Sequence, residues 1–517
     1  MAALHLGDEV KLVGKQSAIY GLGQSLSRAV GFFMIPVYTH YLTPADYGSL
    51  ELIEVVSNLL ALVVALGVAY AMPQFYYAEK DQRARNQVVS TILIGFALLT
   101  LPIVIIGMLF SRPLAGLIFQ VPGFAIPLGL TISSTWFGVQ CQAIATYLRL
   151  RYMAKTFVVV STAQLVLGLL LNIYFVVFLR MSFVGICYST FISQFLVAVL
   201  ATFVILRRTY VRPSWGMLKR LVFFGLPLVP LRLASDMGTV TNRFCLRYLA
   251  SPDPMVGFAL VGLFSLANKL AVVINRFVNI PFNSLWVPRC RELLYENESD
   301  AKPVIARICT YSTLVSAYIA LFIAAGGKPV IQIMADYSYR DAYVAVPILA
   351  LAFVVLGMEN HFMIGITYRN KTAWGLVIGL ITLALILLAS FILVPRYGLM
   401  GAAIAHLTAY CSRTILLYIL SQRAFSIPFE TRRIFGIYGM AALLYVAAST
   451  IWFHSVIVTL MIRFCIAAVF PAALAAFGFY HHQELVAARE YSMQILRFTY
   501  AKFHPALKAE AKMQAQD

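Results

Sequence analysis

The stretch QSLSRAVGFFMIPVYTHYLTPADYG, residues 24–48, carries an arginine, Arg28, inside an apolar run that leads through a short loop into a new apolar segment. Apolar stretches of this kind recur along the chain, and each has about the twenty residues that a helix needs to cross roughly 30 Å of hydrocarbon. A charge at the centre of such a helix costs about 2.5–3.5 kcal/mol on insertion scales, so it usually faces a cavity. The sequence therefore predicts a multi-span membrane protein with cations among its helices.

The composition excludes most other classes of protein. Of the 517 residues, 61% are hydrophobic and only 12% are charged, which indicates one polytopic membrane domain without a large soluble module. The net charge of +19 resides in short loops between apolar segments, so we do not expect a nucleic-acid partner. The seven cysteines form no C-x-x-C pair, and the chain has no P-loop, H-E-x-x-H or G-x-S-x-G motif. We expect neither an enzyme nor a metal or cofactor.

Fourteen membrane spans are predicted. They lie near residues 17–41, 47–73, 86–110, 125–148, 156–179, 183–206, 220–246, 256–285, 304–325, 342–366, 372–394, 399–421, 434–454 and 457–479. Alternate loops, together with both termini, hold most of the lysines and arginines. Because cytoplasmic loops are rich in these residues, both termini should be cytoplasmic, as should the basic loop 207–220.

An internal repeat relates two parts of the chain at a constant offset of 216 residues. Tyr152, Lys155, Thr156, Phe175, Arg180 and Gly185 match Tyr368, Lys371, Thr372, Phe391, Arg396 and Gly401. An even number of spans keeps its orientation when duplicated, so the repeat predicts two parallel six-helix lobes related by an axis along the membrane normal. The predicted units are an N-terminal lobe (1–210), a C-terminal lobe (211–422), an extra span pair (423–480) and a cytoplasmic amphipathic tail (481–517).

Two motifs and the span count resemble a known family of transporters. The first is Gln24–Phe32 with its arginine, ending in Pro36, and the second is the YLxPxxYG sequence of Tyr41–Gly48. Together they resemble the polysaccharide-transporter branch of the multidrug/oligosaccharidyl-lipid/polysaccharide (MOP) exporter superfamily, which includes O-antigen and capsule repeat-unit flippases. The resemblance implies a V-shaped, all-α bundle that moves undecaprenyl-diphosphate-linked oligosaccharide to the outer leaflet by alternating access. It also implies a cationic central cavity.

Cations inside the predicted spans are the candidate cargo ligands. Arg232 and Arg243 share one face of span 7, and Lys269 and Arg276 lie seven residues apart on span 8. At about 1.5 Å per residue, Arg28, Arg232 and Lys269 each lie roughly 17–20 Å inside their spans, near the bilayer midplane. Guanidinium and ammonium groups there suit a diphosphate. The predicted substrate-binding residues are Arg28, Arg232, Lys269, Arg243, Arg276 and Arg413.

These cations could instead pair with buried acids and only hold helices together. The acids are too few to neutralise all of them, and Glu51 is expected near the outer rim, although Arg413 could pair with Glu359. Asp236, Glu54 and Glu359 are the candidate ion-coupling residues, since a desolvated carboxylate can exchange a proton or sodium. A permanent salt bridge is the competing interpretation for each.

The sequence thus predicts a flippase in the bacterial cytoplasmic membrane that serves O-antigen, capsule or exopolysaccharide synthesis. The expected partners are the lipid-linked oligosaccharide, membrane lipids, and the polymerase and chain-length machinery of the same pathway. Two alternatives remain open: a multidrug or cation antiporter of the same superfamily, and a non-transporting membrane subunit of a polysaccharide synthase complex. An antiporter would be expected to present acids to its cationic drugs, whereas the excess charge here is basic.

Overall fold

The computed structural model describes residue 31 and residues 33–480 apart from 227, 370 and 372. Within this range it does not describe the side chains of 68–70, 122, 228, 230–232, 234–237, 239, 373 and 376. Arg28, most of predicted span 1 and the predicted tail 481–517 lie outside the described residues.

The N-terminal half consists of short and long helices in succession. These are α1 (Ile35–Tyr41), α2 (Pro44–Ala65), α3 (Val68–Ala78), α4 (Gln82–Ser90), α5 (Ala97–Leu109), α6 (Ser111–Phe119), α7 (Ala125–Leu150), α8 (Ala154–Ile173) and α9 (Ser182–Thr209). π-Helical turns at Thr91–Phe96 and Tyr174–Phe178 join α4 to α5 and extend α8.

The C-terminal half repeats this helical pattern. Its elements are α10 (Trp215–Gly225), α11 (Leu228–Leu249), α12 (Pro254–Ala271), α13 (Ile280–Glu296), α14 (Glu298–Met334), α15 (Val346–Gly357), α16 (Glu359–Tyr368), α17 (Ala373–Ala424), α18 (Thr431–Thr450), α19 (Val456–Ala468) and α20 (Phe470–Ala476). A π-helical turn, Asn275–Asn279, joins α12 to α13, and a 3₁₀ helix, Tyr337–Ala345, precedes α15.

The helices α2 and α12 begin with the same local chemistry. Thr43 accepts a hydrogen bond from the Asp46 N–H while the Asp46 carboxylate accepts from the Thr43 N–H, a capping box followed by Pro44. Asp253 caps α12 through the Met255 N–H, and Pro254 follows it. These caps fix where both helices start, and the two helices begin at the same end of the molecule, which the topology predicts to face outside.

Ten helices in the described part of the chain are long and apolar enough to cross a membrane. One of them, Val377–Ala424, holds the reversal of α17 at Gly398, whose φ of 50° and ψ of −121° are not helical. The chain is therefore an all-α, multi-pass membrane protein, as predicted, while the count of fourteen spans remains a prediction.

The predicted repeat has a backbone counterpart at its two tight turns. Ser182 and Gly398 are related by the offset of 216 residues, and both have positive φ, 51° and 50° respectively. Three residues further on, Gly185 and Gly401 pack where the second helix folds back on the first, and a Cβ on either would lie within 3 Å of that helix. The two turns thus share a geometry as well as a sequence pattern, which supports the duplication.

Three hydrophobic clusters define the architecture. The largest combines residues of both halves, such as Tyr47 and Phe258, at the end where α2 and α12 begin. The second holds N-terminal residues together with Met217 and Leu218 of α10, so this helix packs on the N-terminal half. The third, around Cys290, contains only residues of the C-terminal half. The two halves therefore share a core where α2 and α12 begin, and they also meet where α10 packs on the N-terminal half, with Gly67 and Gly225 in close backbone contact.

Candidate functional site

A close crossing of α2 and α12 joins the two halves at the predicted outer end. A Cβ added at Gly48 would lie 1.8 Å from the Phe258 carbonyl oxygen, and one added at Gly262 would lie 2.1 Å from that of Pro44. No side chain fits at either position while the helices stay in contact. Paired glycines allow such close backbone approach between membrane helices.

Hydrogen bonds and aromatic rings complete this closure. The buried Arg247 donates to the Phe119 carbonyl at 3.0 Å, and the Tyr339 hydroxyl donates to the Leu42 carbonyl at 3.0 Å. Phe124 stacks on Phe258 with ring centroids 5.2 Å apart. Each of these contacts links one half to the other, so the space between the halves is sealed at this end.

A buried carboxylate bridges the halves just below the crossing. Glu51 lies two turns into α2, and its oxygens lie 3.1 Å from Arg243 Nη2 and 2.7 Å from Lys269 Nζ. Arg243 Nε also donates to Ser265 Oγ at 3.2 Å, and Lys269 Nζ lies 4.7 Å from the centroid of the Tyr47 ring. This pairing with a buried acid is the competing interpretation for Arg243 and Lys269, and one carboxylate that faces two cations neutralises them only in part.

Further charges face an open space beside this bridge. Lys269 keeps 31% of its side chain accessible despite its pairing, and Glu54 and Arg276 are exposed. Glu54 is within electrostatic range of Lys269, Arg243 and Arg276, so its exposure is toward the space between the halves. Arg276 has no ion-pair partner among the described residues. Among the described side chains, three cations and two carboxylates meet here, which leaves a net positive charge.

Arg413 belongs to a separate pair. Its Nη2 contacts Glu359 Oε1 between α17 and α16, and both side chains are partly accessible. The sequence raised this pairing as the alternative to a cargo role, and the contact favours it. The remaining predicted ligands are not placed: Arg28 lies outside the described residues, and Arg232 and Asp236 are on α11 with side chains that are not described.

Two cavities that the sequence analysis did not anticipate adjoin the bundle. One, of about 470 Å³, lies between predicted span 1, α8 and α9 and is lined by amide and hydroxyl side chains together with Met34, Leu165 and Leu169. The other, of about 570 Å³, is an apolar groove between α14, α15 and α18. The described residues hold no cluster of three or more His, Cys, Asp or Glu side chains suited to a metal ion.

Comparison with known proteins identifies a matching family and several similar folds. A family model for a "polysaccharide biosynthesis protein" matches residues 13–294, more than half of the chain. The fold is similar to that of the lipid II flippase MurJ in its inward closed conformation, with a TM-score of 0.70 and 12% identity over 90% of this chain and 100% of that one. No curated protein matches the chain in sequence.

A second group of similar folds consists of multidrug transporters. The inward-facing structure of a multidrug resistance MATE family transporter of the MOP superfamily has a TM-score of 0.55 and 17% identity, over 80% of this chain and 96% of that one. A MATE structure in the bent conformation has a TM-score of 0.50 and 17% identity, over 84% and 97%. At these identities the likeness shows the fold of the chain.

Proposed function

The chain belongs to the polysaccharide biosynthesis protein family, and on this premise we propose that it is a flippase for undecaprenyl-diphosphate-linked oligosaccharide repeat units. It moves them from the cytoplasmic to the outer leaflet of the bacterial inner membrane by alternating access. Both termini are proposed to be cytoplasmic, and the polymerase and chain-length machinery of the pathway are the proposed protein partners.

The observation that carries this proposal is the cation cluster at the contact between the halves. Arg243, Lys269 and Arg276 converge beside a space that is sealed at the predicted outer end. A diphosphate offers several anionic oxygens, and it can bind guanidinium groups bidentately and an ammonium group as a point charge. Arg28 and Arg232 are proposed to add to this cluster, and Arg413 has the weaker case because it contacts Glu359.

Glu51 gives the site a way to respond to cargo. In the closed arrangement its carboxylate forms ion pairs with Arg243 and Lys269, the same groups that a diphosphate would bind. An arriving phosphate competes with the carboxylate, and each Glu51 contact that it replaces weakens the link between the halves. Cargo binding would then favour opening of the predicted outer end, by the reciprocity that any coupled binding obeys.

The apolar groove suits the prenyl part of such a cargo. It is lined by Ala320, Leu351, Val354 and Ala441, and its few polar contributors include Tyr438 and Tyr445. An isoprenoid chain needs apolar surface along its length while its diphosphate remains in a polar site. The groove provides that surface in the half of the molecule that also holds the cations.

The ion-coupling role remains a proposal for Asp236, Glu54 and Glu359. Glu54 has the strongest support, because it is exposed beside the cations and has no ion-pair partner among the described residues. Glu359 already contacts Arg413, so its ionisation would be linked to that pair. Transport in proteoliposomes with an imposed proton or sodium gradient would test each acid through its amide variant.

An antiporter for cationic drugs is the second candidate, favoured by the fold shared with MATE transporters and by the exposed carboxylate of Glu54. The net positive charge of the cluster opposes it, because cations repel a cationic drug. The third candidate, a non-transporting subunit of a synthase complex, would have no need for accessible cations between the halves.

Deletion of the gene, with analysis of lipid-linked intermediates, tests the proposal directly. A flippase mutant accumulates complete repeat units on the cytoplasmic face, and the wild-type protein clears them. Lys269→Ala should reproduce the accumulation with expression intact, whereas the matched surface variant Lys302→Ala should not. Normal export in the deletion strain, or drug sensitivity without accumulation, would refute the flippase assignment.

A further inference from the structure

A row of uncharged polar side chains lines the 470 Å³ cavity of the N-terminal half. Ser161, Gln164 and Asn172 lie on one face of α8 at helical spacing, with Gly168 between them. Ser193 and Gln194 of α9 face them across the cavity. The helix that carries this row is one of the candidate membrane spans, and its other residues are predominantly apolar.

Several of these polar groups have no partner in the protein. Ser161 and Gln164 line the cavity and make no hydrogen bond to any other described residue. Gln194 Oε1 also has no hydrogen-bond partner there, but it is buried against Gly138 and is not open to the cavity. Asn172 only accepts one hydrogen bond, from Ser189 Oγ at 2.8 Å, which leaves its amide N–H groups available. Amides at membrane depth are costly unless they are satisfied, so a cavity that holds them must admit water or a polar ligand.

The chemistry of the lining identifies the class of ligand. No described residue of the lining carries a charge, and amide groups supply donors and acceptors together. Such a surface is complementary to the hydroxyl groups of a neutral sugar, which also donate and accept. The volume falls within the range of about 300–1,000 Å³ that is typical of small-molecule sites.

The cavity adjoins the cation cluster through Tyr38. This residue lines the cavity, and it also lies within electrostatic range of Lys269 and Glu54. We propose that the amide-lined cavity of the N-terminal half binds the neutral glycan of the cargo, while cations of the C-terminal half bind its diphosphate. This inference rests on the proposed flippase function and assigns the two chemical parts of one cargo to different halves.

Two probes separate the parts of the cargo: farnesyl diphosphate and the same lipid diphosphate linked to a neutral disaccharide. Their dissociation constants are measured on the purified full-length protein in lipid nanodiscs. We expect the glycosylated probe to bind about tenfold more tightly than farnesyl diphosphate. Gln164→Leu and Asn172→Leu should each remove most of that advantage, roughly five- to tenfold for lost hydrogen bonds, and leave the affinity for farnesyl diphosphate unchanged.

Matched variants make the outcome specific. Thr162→Val changes a half-buried neighbour on the same helix that does not line the cavity, and it should alter neither affinity. Gly168→Leu fills the cavity, where a Cβ would meet only Ser193 at 3.7 Å, and should abolish the glycan advantage. Lys269→Ala should weaken both probes equally.

The possible failures are distinguishable. If farnesyl diphosphate binds through Lys269 but the cavity variants leave the glycan advantage intact, the glycan site is refuted and the flippase proposal stands. Equal losses for both probes in Gln164→Leu would mean a structural role for the cavity and would also refute the site. If neither probe binds the wild-type protein, both the flippase proposal and this site are overturned.

Discussion

Replacing Glu51 with glutamine removes one negative charge from the contact between the halves and keeps the shape of the side chain. The charge-assisted hydrogen bond to the buried Arg243 is worth about 1.5–3 kcal/mol, and the bond to Lys269, which is a third exposed, about 1 kcal/mol. We expect Glu51→Gln to weaken the closed outer end by about 3 kcal/mol. That energy corresponds to a shift of roughly 100-fold in the ratio of closed to open molecules.

The distance between the halves at that end is the direct measurement. Gly123, in the 3₁₀ helix Pro122–Phe124, and Pro252, in a loop, are exposed on opposite halves, and they can carry spin labels as Gly123→Cys and Pro252→Cys. A Cys465→Ser background removes the one native cysteine that is exposed. Double electron–electron resonance without cargo should give a single short distance between the two spin labels in the wild type. For Glu51→Gln it should give an additional, longer distance.

A second measurement checks the competition between carboxylate and cargo. With its charge removed, residue 51 no longer competes for Arg243 and Lys269, so farnesyl diphosphate should bind about tenfold more tightly to Glu51→Gln. Glu292→Gln is the control, because Glu292 forms an exposed pair with Arg289 that contributes little. An unchanged distance distribution in Glu51→Gln would refute the bridging role, and weaker binding of the probe would refute the competition.

Other predictions address the crossing, the repeat, the second ion pair and the topology. Gly48→Ala should separate the halves at the outer end, measured with the same labels, because its Cβ has no room. Ser182→Gly should raise the free energy of unfolding by about 1 kcal/mol, by relieving a serine with positive φ, as thermal denaturation would show. Glu359→Gln should lower thermal stability without weakening farnesyl diphosphate binding, if Arg413 has a structural role. Membrane-impermeant labelling of cysteines in loop 207–220 should occur only from the cytoplasmic side, and labelling from outside would contradict the predicted topology.

The helical architecture could be predicted from the sequence because apolar length and loop charge are local properties. The repeat was also visible, and the positive φ of Ser182 and Gly398 shows that it extends to the backbone. Pairing between Arg413 and Glu359 could be anticipated because buried acids are few and opposite charges in a membrane attract.

Pairing of the buried cations with acids such as Glu51 could be raised from the sequence, but the geometry of this bridge could not be predicted. Its contacts depend on the angle and depth at which α2 crosses α12, and these are set by the glycines Gly48 and Gly262 on helices from different halves. Helical periodicity gives the face of a residue but does not say which other helix that face meets. The row of Ser161, Gln164 and Asn172, by contrast, has a readable spacing of three to eight residues. Its side chains are uncharged, so the high cost of a charge in the membrane does not single it out.

The distribution of charge between the two halves explains how the two parts of a duplicated bundle can hold together at one end. Had both copies kept cations on the helices that cross at Gly48 and Gly262, the halves would repel each other across a low-dielectric contact. Here α2 contributes carboxylates, including Glu51, and the C-terminal half contributes Arg243 and Lys269, so the two halves attract each other at this end. A diphosphate that binds those cations weakens the attraction between the halves. By thermodynamic reciprocity, the attraction between the halves lowers the affinity for the diphosphate by the same free energy. The described lining of the cavity in the N-terminal half consists of uncharged side chains, among them amides that can bind hydroxyl groups.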